Sequence, residues 1–588
     1  MTPSTAARPG SARLAAEELD RFLGDPRRPG GPFSYRDIVE AEERDELPAG
    51  ALDAVREWGF QTYLVPEASG GRLRSLEELF HLCRVLSRRN VTIAVAYGSA
   101  LLGVNPVWLW GTAEQRETVA GAILGGSLAC FGVSEADHGS DLRASEAVAV
   151  DADGGLLLSG SKWPVGNATR GRFVTVYART GERDFSLLLV DKEAVDPARW
   201  SNLPYVRTVG LRGHDLSGIV FDRVPVGRES VIGRAGTGLV QVLKALQITR
   251  TAICALSVGT LDAALRIVLE YAHERNLYGG NIYRIPVIRE QILLGHVDLM
   301  ISECTAIPVA RALSIAPDRM SLWSSVVKYL VPVIAEEAVA SMGRVLGARS
   351  YLREGVADGI FQKLQRDHAI ASIFEGTTHV NLHTVADQLP FVARRAGADA
   401  RAEAGRGDLG EILSEVFSWT RETPAWIPSG RDLQLTNEGL DEITQRWPAA
   451  VRMVRELAAE DAPAGTGVLG EIAGLVDRVE ELHAAHYAAI AAAASWESHT
   501  KEAMAAAERH CAFHAIASCV YTWLVNRDEL GGGFAAGGWL VACLERLLRL
   551  VDRSAEVGEP TLAGIEEFVL GSLKQDTTFS LAALAGLG

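Results

Sequence analysis

Residues 361–383, FQKLQRDHAIASIFEGTTHVNLH, set a carboxyl inside an apolar run. Glu375 stands between Phe374 and Gly376, with Thr377 and Thr378 just beyond. A carboxyl partly withdrawn from water loses hydration of its charged form, so its pKa rises and it becomes a stronger proton acceptor. The chemistry such a group offers is that of a general base. Most carboxylates beside a turn are simply solvated, so this assignment needs support from residues elsewhere in the chain.

Other candidates offer less. His483 and His486 lie one helical turn apart, as do His510 and His514. Neither pair has an acidic or Cys partner at ligand spacing, so both read as ordinary helix faces and no metal site is expected. Gly233-Arg-Ala-Gly-Thr-Gly238 is spaced G-x-x-G-x-G rather than G-x-G-x-x-G and reads as a linker turn. No G-x-S-x-G elbow occurs.

Composition narrows the class. At 588 residues, 48% apolar and 22% charged, the chain reads as soluble and globular, divided into about two to four units. A formal net charge of −16 argues against a nucleic-acid surface. Seven cysteines, odd in number and without C-x-x-C, read as buried free thiols of a reducing cytoplasm. The first residues lack the basic-then-apolar order of a signal peptide. No uninterrupted apolar stretch approaches bilayer-spanning length. The expectation is a cytoplasmic protein without membrane association.

The elements that must position Glu375 follow from periodicity. LEELFHLCRVLSRR has helical apolar spacing, and TAEQRETVAGAIL opens with a Thr-x-x-Gln capping box. GLLLSGSKW, RFVTVYART, DFSLLLVDK and GIVFDRVPV are short β-branched and aromatic runs between turn clusters, the pattern of a compact antiparallel unit. Helical spacing returns after Gly238 and lasts to about residue 390. RRAGADARAEAGRGD (394–408) reads as a linker before a long helical tail. The expected fold is mainly α with a central β domain. Its units are a helical domain (1–125), a β-barrel-like middle domain (126–235), a four-helix-bundle domain with Glu375 (236–393) and a helical extension (394–588).

Four segments in this order resemble the acyl-CoA dehydrogenase family. Phe131-Gly-Val-Ser-Glu-Ala-Asp-His-Gly-Ser-Asp141 is similar to F-x-x-T-E-x-x-x-G-S-D, and Gly160-Ser-Lys-Trp-Pro-Val-Gly-Asn167 to G-x-K-x-W-I-T-N. Arg275-Asn-Leu-Tyr-Gly279 is similar to R-x-x-F-G, and Arg366-Asp367 with Ile373-Phe-Glu-Gly-Thr377 to R-D and I-Y-E-G-T. Singly, Trp163 and Tyr278 read as core aromatics and Arg275 as a helix-end charge. Together and in register they carry the resemblance over about residues 15–390.

The resemblance implies an FAD enzyme that removes hydrogens from the α and β carbons of an acyl thioester, on CoA or on a carrier protein, giving the trans-2-enoyl product. Glu375 would take the α proton, since Thr249 occupies the family's alternative base position. Phe131, Val133, Ser134, Trp163 and Gly166 would face the flavin, with Thr377 beside the base. Arg275 would meet the FAD pyrophosphate of a neighbouring subunit, with Tyr278 packed nearby. Gly347, in Val-Leu-Gly-Ala, would let backbone approach phosphate through its missing side chain. Ser140, Arg250 and Gly376 would contact substrate. Departures from the family's pattern are Pro164 for its flavin-stacking Trp, Gly166 for a Thr, Gln247 for an Asp near the CoA arm, and Pro286 and Arg344 for two Gln. They keep open an oxygen-reactive oxidase or monooxygenase of the same fold, and a non-catalytic scaffold. The tail is placed like that of very-long-chain acyl-CoA dehydrogenases, which implies a homodimer, with an electron-transfer flavoprotein-like acceptor as redox partner.

Overall fold

The computed structural model describes residues 11–402, 408–460 and 467–584. Six helices form the first layer: α1 (Ser11–Leu23), α2 (Tyr35–Glu43), α3 (Ala49–Trp58), α4 (Leu76–Arg89), α5 (Val91–Trp110) and α6 (Ala113–Leu124). Caps fix their starts. Ser75 accepts from the Glu78 amide at α4, and Thr112 and Gln115 satisfy each other's backbone N–H at α6 in the expected capping box.

The middle domain is one curled seven-stranded sheet: β1 (Leu128–Gly132), β2 (Val148–Ala152), β3 (Gly155–Gly166), β4 (Gly171–Arg179), β5 (Phe185–Asp191), β6 (Trp200–Asn202) and β7 (Leu216–Val226). All four runs read from the sequence are strands. The antiparallel expectation is corrected in one respect: β1 runs parallel to β4. Parallel neighbours need a crossover, and here the β2–β3 hairpin supplies it.

The second helical unit holds α7 (Gly238–Glu274), α8 (Pro286–Ile315), α9 (Met320–Leu346), α10 (Ile360–His368) and α11 (Thr378–Ala402), with a two-stranded hairpin, β8 (Asn276–Leu277) and β9 (Gly280–Asn281), after α7. The reading that no segment reaches membrane-spanning length is corrected too. By length and composition α5, α7 and α8 all qualify, yet 83%, 89% and 94% of their apolar windows are buried inside the protein. A helix surrounded on every side by helices is apolar all round, so these three form the core. The expected linker is also helical at its start, since α11 continues to Ala402, while 403–407 lie outside the described residues.

The extension comprises α12 (Glu411–Val416), α13 (Glu442–Gln445), α14 (Trp447–Glu460), α15 (Val468–Ala491), α16 (Lys501–Leu530), α17 (Gly532–Ala536), α18 (Gly538–Val551), α19 (Glu559–Gln575) and α20 (Leu581–Leu584). It is bound to the core through buried charge. Arg546 on α18 grips Asp298 on α8 at 2.9 and 3.0 Å. Arg311 on α8 pairs with Glu77 at 2.7 Å and also donates to the carbonyls of Glu415 and Arg421. Its final turns reach α7, α8 and the loop after α1: the Leu581 amide donates to Glu303 at 2.8 Å, and Asp576 pairs with Arg27 and Arg266. All seven cysteines are buried and free, as expected. The two His pairs lie together rather than on solvated faces. His483, His486 and His510 pack around Tyr487, and all four imidazoles are buried.

Candidate active site

The turn between α10 and α11 carries Glu375 at φ 55° and Gly376 at φ 103°. A non-glycine residue in the left-handed region is about 1–2 kcal/mol less stable than in the right-handed one, so its surroundings must hold it there. They do so through carbonyls. Arg250 Nε donates to Glu375 O at 3.0 Å, Asn381 Nδ2 to Gly376 O at 2.8 Å, and Lys328 Nζ to Ala371 O at 2.6 Å and Gly376 O at 3.3 Å. The turn presents Glu375 to a cavity of about 40 Å³. Val95, Ser99 and Leu101 of α5, Thr249, Ile253 and Leu256 of α7, and Phe374 are among the residues of its mainly apolar wall. Glu375 is half-buried, and its Oε2 is shut from solvent with no hydrogen-bond partner. Burial pushes its pKa up, against the Thr249 hydroxyl and the charges of Lys328 and Arg250.

The β domain carries the two β motifs. Val133 and Ser134 follow β1 and are half-buried. Glu135 anchors them: it accepts from Lys162 Nζ at 2.7 Å, Ser145 Oγ at 2.6 Å and the amides of Glu146 and Ala147. Burial alone would raise this carboxyl, but those donors win and bring it down to about 2. The Trp163 amide donates to Ser134 O at 2.9 Å, joining the two motifs. Gly166 ends β3 against α5, where a Cβ would stand 2.7 Å from Ser99 Oγ and 2.9 Å from His214 Nε2. Ser99 also lines the Glu375 cavity, so one residue of α5 lies next to both Gly166 and that cavity. The departure at Gly166 thus has a steric cause, because Ser99 and His214 fill the space a larger residue would need.

The remaining candidates divide. Phe131 is buried in β1, and Thr377 caps α11 by accepting from the Val380 amide. Gly376 packs tightly, with a Cβ falling 3.1 Å from Arg250 Nη2. Arg250, expected at substrate, spends its Nε on the base's own carbonyl. Ser140 is exposed on its loop. Tyr278 is 87% exposed at the β8–β9 tip. At Gly347 a Cβ would meet nothing within 4 Å, and φ 60°, ψ −135° is a backbone conformation that favours glycine. Pro286 opens α8 as its first residue, a position that needs no N–H donor.

Sequence reasoning missed Lys328, Ser99 and His214, which reach the site from α9, α5 and the loop before β7. Only their three-dimensional placement identifies them, since none carries a local signature. Gln247 is another surprise. Its Nε2 donates to Gln434 O of the extension at 2.6 Å, while Lys244 donates to Gly430 O at 3.1 Å.

Models of the acyl-CoA dehydrogenase N-terminal, middle and C-terminal domains match residues 35–127, 130–224 and 236–389. The chain belongs to the acyl-CoA dehydrogenase family. It is 26% identical over 361 residues to the caffeyl-CoA reductase–Etf complex subunit CarC of Acetobacterium woodii, covering 60% of this chain and 92% of that one. A probable acyl-CoA dehydrogenase of Mycobacterium leprae is 27% identical over 351 residues, covering 58% and 87%. The fold is shared with the acyl-CoA dehydrogenase–FAD complex from Bacillus anthracis, at TM-score 0.67 and 17% identity over 97% of this chain and 96% of that one. That likeness spans the extension as well. Butyryl-CoA dehydrogenase from Megasphaera elsdenii matches the first part of the chain, at TM-score 0.58 and 18% identity over 63% of it and 97% of that structure.

Proposed function

We propose that this acyl-CoA dehydrogenase uses FAD to oxidise a short acyl-CoA to its trans-2-enoyl thioester, with Glu375 as the base. The carrying observation is a burial-raised carboxyl with an unpartnered oxygen, held by a left-handed turn against an apolar cavity. The residues present fit a flavin dinucleotide. Arg275 Nε is buried without a partner among the described residues, which suits a pyrophosphate oxygen, and the space around Gly347 is open. Ser134, Trp163, Gly166 and Thr377 would hold the isoalloxazine, and bound FAD supplies the hydride acceptor for the β carbon. Glu375 takes the α proton. The apolar wall keeps water from solvating its carboxylate, so it remains basic enough to do so.

The cavity has room for roughly three water-sized groups, which fits a chain of about butyryl length. Flavin bleaching by butyryl-, octanoyl- and palmitoyl-CoA tests this. Butyryl-CoA should react fastest, and palmitoyl-CoA as the best substrate would refute the chain length. A carrier-protein thioester is the second reading. It is favoured by the engagement of Gln247 with the extension, at the position the family uses near the CoA arm. Comparing butyryl-CoA with the same acyl group on carrier protein separates the two.

The assembly we infer is a homodimer. Tyr278, Tyr351 and Val287 are exposed at 87%, 91% and 56%, and the half-buried Arg275 has an unused Nε. The extension covers α8, leaving that face closed to further copies. An electron-transferring flavoprotein would accept the electrons, in the reducing cytoplasm that the free thiols suit. A sedimentation mass of a tetramer would overturn the dimer.

A further inference from the structure

Lys328 on α9 is fully buried, and among the described residues it forms no ion pair. A buried ammonium without a carboxylate in contact is costly unless it is used. Its three neighbours all belong to the turn that carries the base. Nζ donates to Ala371 O at 2.6 Å and Gly376 O at 3.3 Å, and stands 5.7 Å over the Phe374 ring. Glu375 lies inside that bracket. We propose that Lys328 is a positioning residue for the base: its buried ammonium ties both ends of the turn and is the counter-charge that keeps the Glu375 carboxyl ionised at working pH. This rests on the reading of Glu375 as proton acceptor.

The other groups facing this pair stay fixed over the working range. From α7, Arg250 is lowered by burial only to about 10 and remains charged, while burial pushes the Cys254 thiol up to about 12. From α10, burial holds His368 down to about 4, so it is neutral. Glu336 of α9 is exposed and bonds Ser372 on the outer side of the turn. Lys328 itself is lowered to about 8 by burial, opposed by Glu375. Near neutral pH the local charge is therefore set by Lys328 and Glu375.

The test uses full-length, FAD-loaded enzyme and the pH profile of flavin bleaching by butyryl-CoA and octanoyl-CoA. Lys328→Gln keeps donors for the two carbonyls and removes the charge. Its acid limb should move up by about one pH unit or more, with KM little changed. Lys328→Met removes charge and donors. It should show the same shift, a plateau roughly tenfold lower, and amide exchange in 372–376 about tenfold faster. Lys328→Arg should return the acid limb to the wild-type position. Gln and Met variants that load FAD yet keep the wild-type limb would overturn the proposal. Should those two fail to fold, wild type and Lys328→Arg decide it. Exchange of the turn amides, corrected for intrinsic rates, should rise near pH 8 in wild type and not in the Arg variant, and identical curves would overturn it. A Glu375→Gln enzyme that still bleaches would instead sink the base assignment, so the two failures are distinguishable.

Discussion

Asp367 accepts from the Leu211 amide at 2.7 Å and from Thr92 Oγ1 at 3.1 Å, joining α10 to a loop of the β domain and to α5. Its neighbour Arg366 pairs with Glu42 on α2 at 2.7 Å and donates to Val209 O at 2.6 Å. The two residues clamp the first helical layer, the β domain and α10 together a few residues before Glu375. Asp367→Asn keeps the shape but weakens charge-assisted bonds, each worth about 1.5–3 kcal/mol. It is expected to lower the melting temperature and FAD retention together, read by fluorescence of released flavin during a thermal scan.

Glu375→Gln should slow flavin bleaching by at least about 100-fold while FAD stays bound. In wild type the rate should climb with pH as the carboxyl ionises. Burial raises that pKa above its usual 4.5, so the inflection is expected above the ordinary carboxylate value. A stopped-flow pH series checks both.

Glu135 gives the stability of the β wall its pH dependence. Its pKa is about 2 in the folded chain against 4.5 as reference. Its contribution is thus complete above about pH 4.5 and disappears as pH falls through about 2. After allowance for solvent screening it amounts to about 2 kcal/mol. Glu135→Gln should lower the urea midpoint at pH 7 and flatten the acid limb of stability against pH.

Gly166→Thr forces a side chain into the space of Ser99 and His214. Overpacking of this kind costs about 1–3 kcal/mol, measurable as a lower urea midpoint. Combining it with Ser99→Gly should recover part of the loss, because one of the two obstructing atoms is then gone.

Arg546→Met leaves Asp298 buried without its partner, an arrangement that costs about 3–5 kcal/mol. The extension should then melt before the core. Calorimetry would show two transitions where wild type has one, and proteolysis would release the tail.

The buried turn that carries Glu375, the two β motifs and the four main strands were legible because each rests on short-range signals: a carboxyl in an apolar run, glycines at turns, alternating β-branched residues. The parallel placement of β1 was not, since pairing partner and direction depend on a crossover that no local pattern encodes. The buried character of α5, α7 and α8 was hidden for a similar reason: a helix enclosed by others shows no polar stripe to mark its outer side. Lys328 escaped because a lysine in a helix reads as solvated until the carbonyls of another segment are seen around it. Gln247 read as a missing substrate contact, whereas its partner Gln434 lies in the extension, 187 positions further on.

The stapling of residues 576–581 onto α4, α7, α8 and the loop after α1 has a temporal consequence. Arg84 pairs with Glu303 and reaches Ser580, while Asp262 receives the Phe579 amide. During synthesis the early helices emerge long before those closing partners exist. Arg84, Asp262 and Glu303 can pair with one another first, but their remaining acceptor and donor sites are filled only once residues 579–581 have been made, so the N-terminal layer locks late.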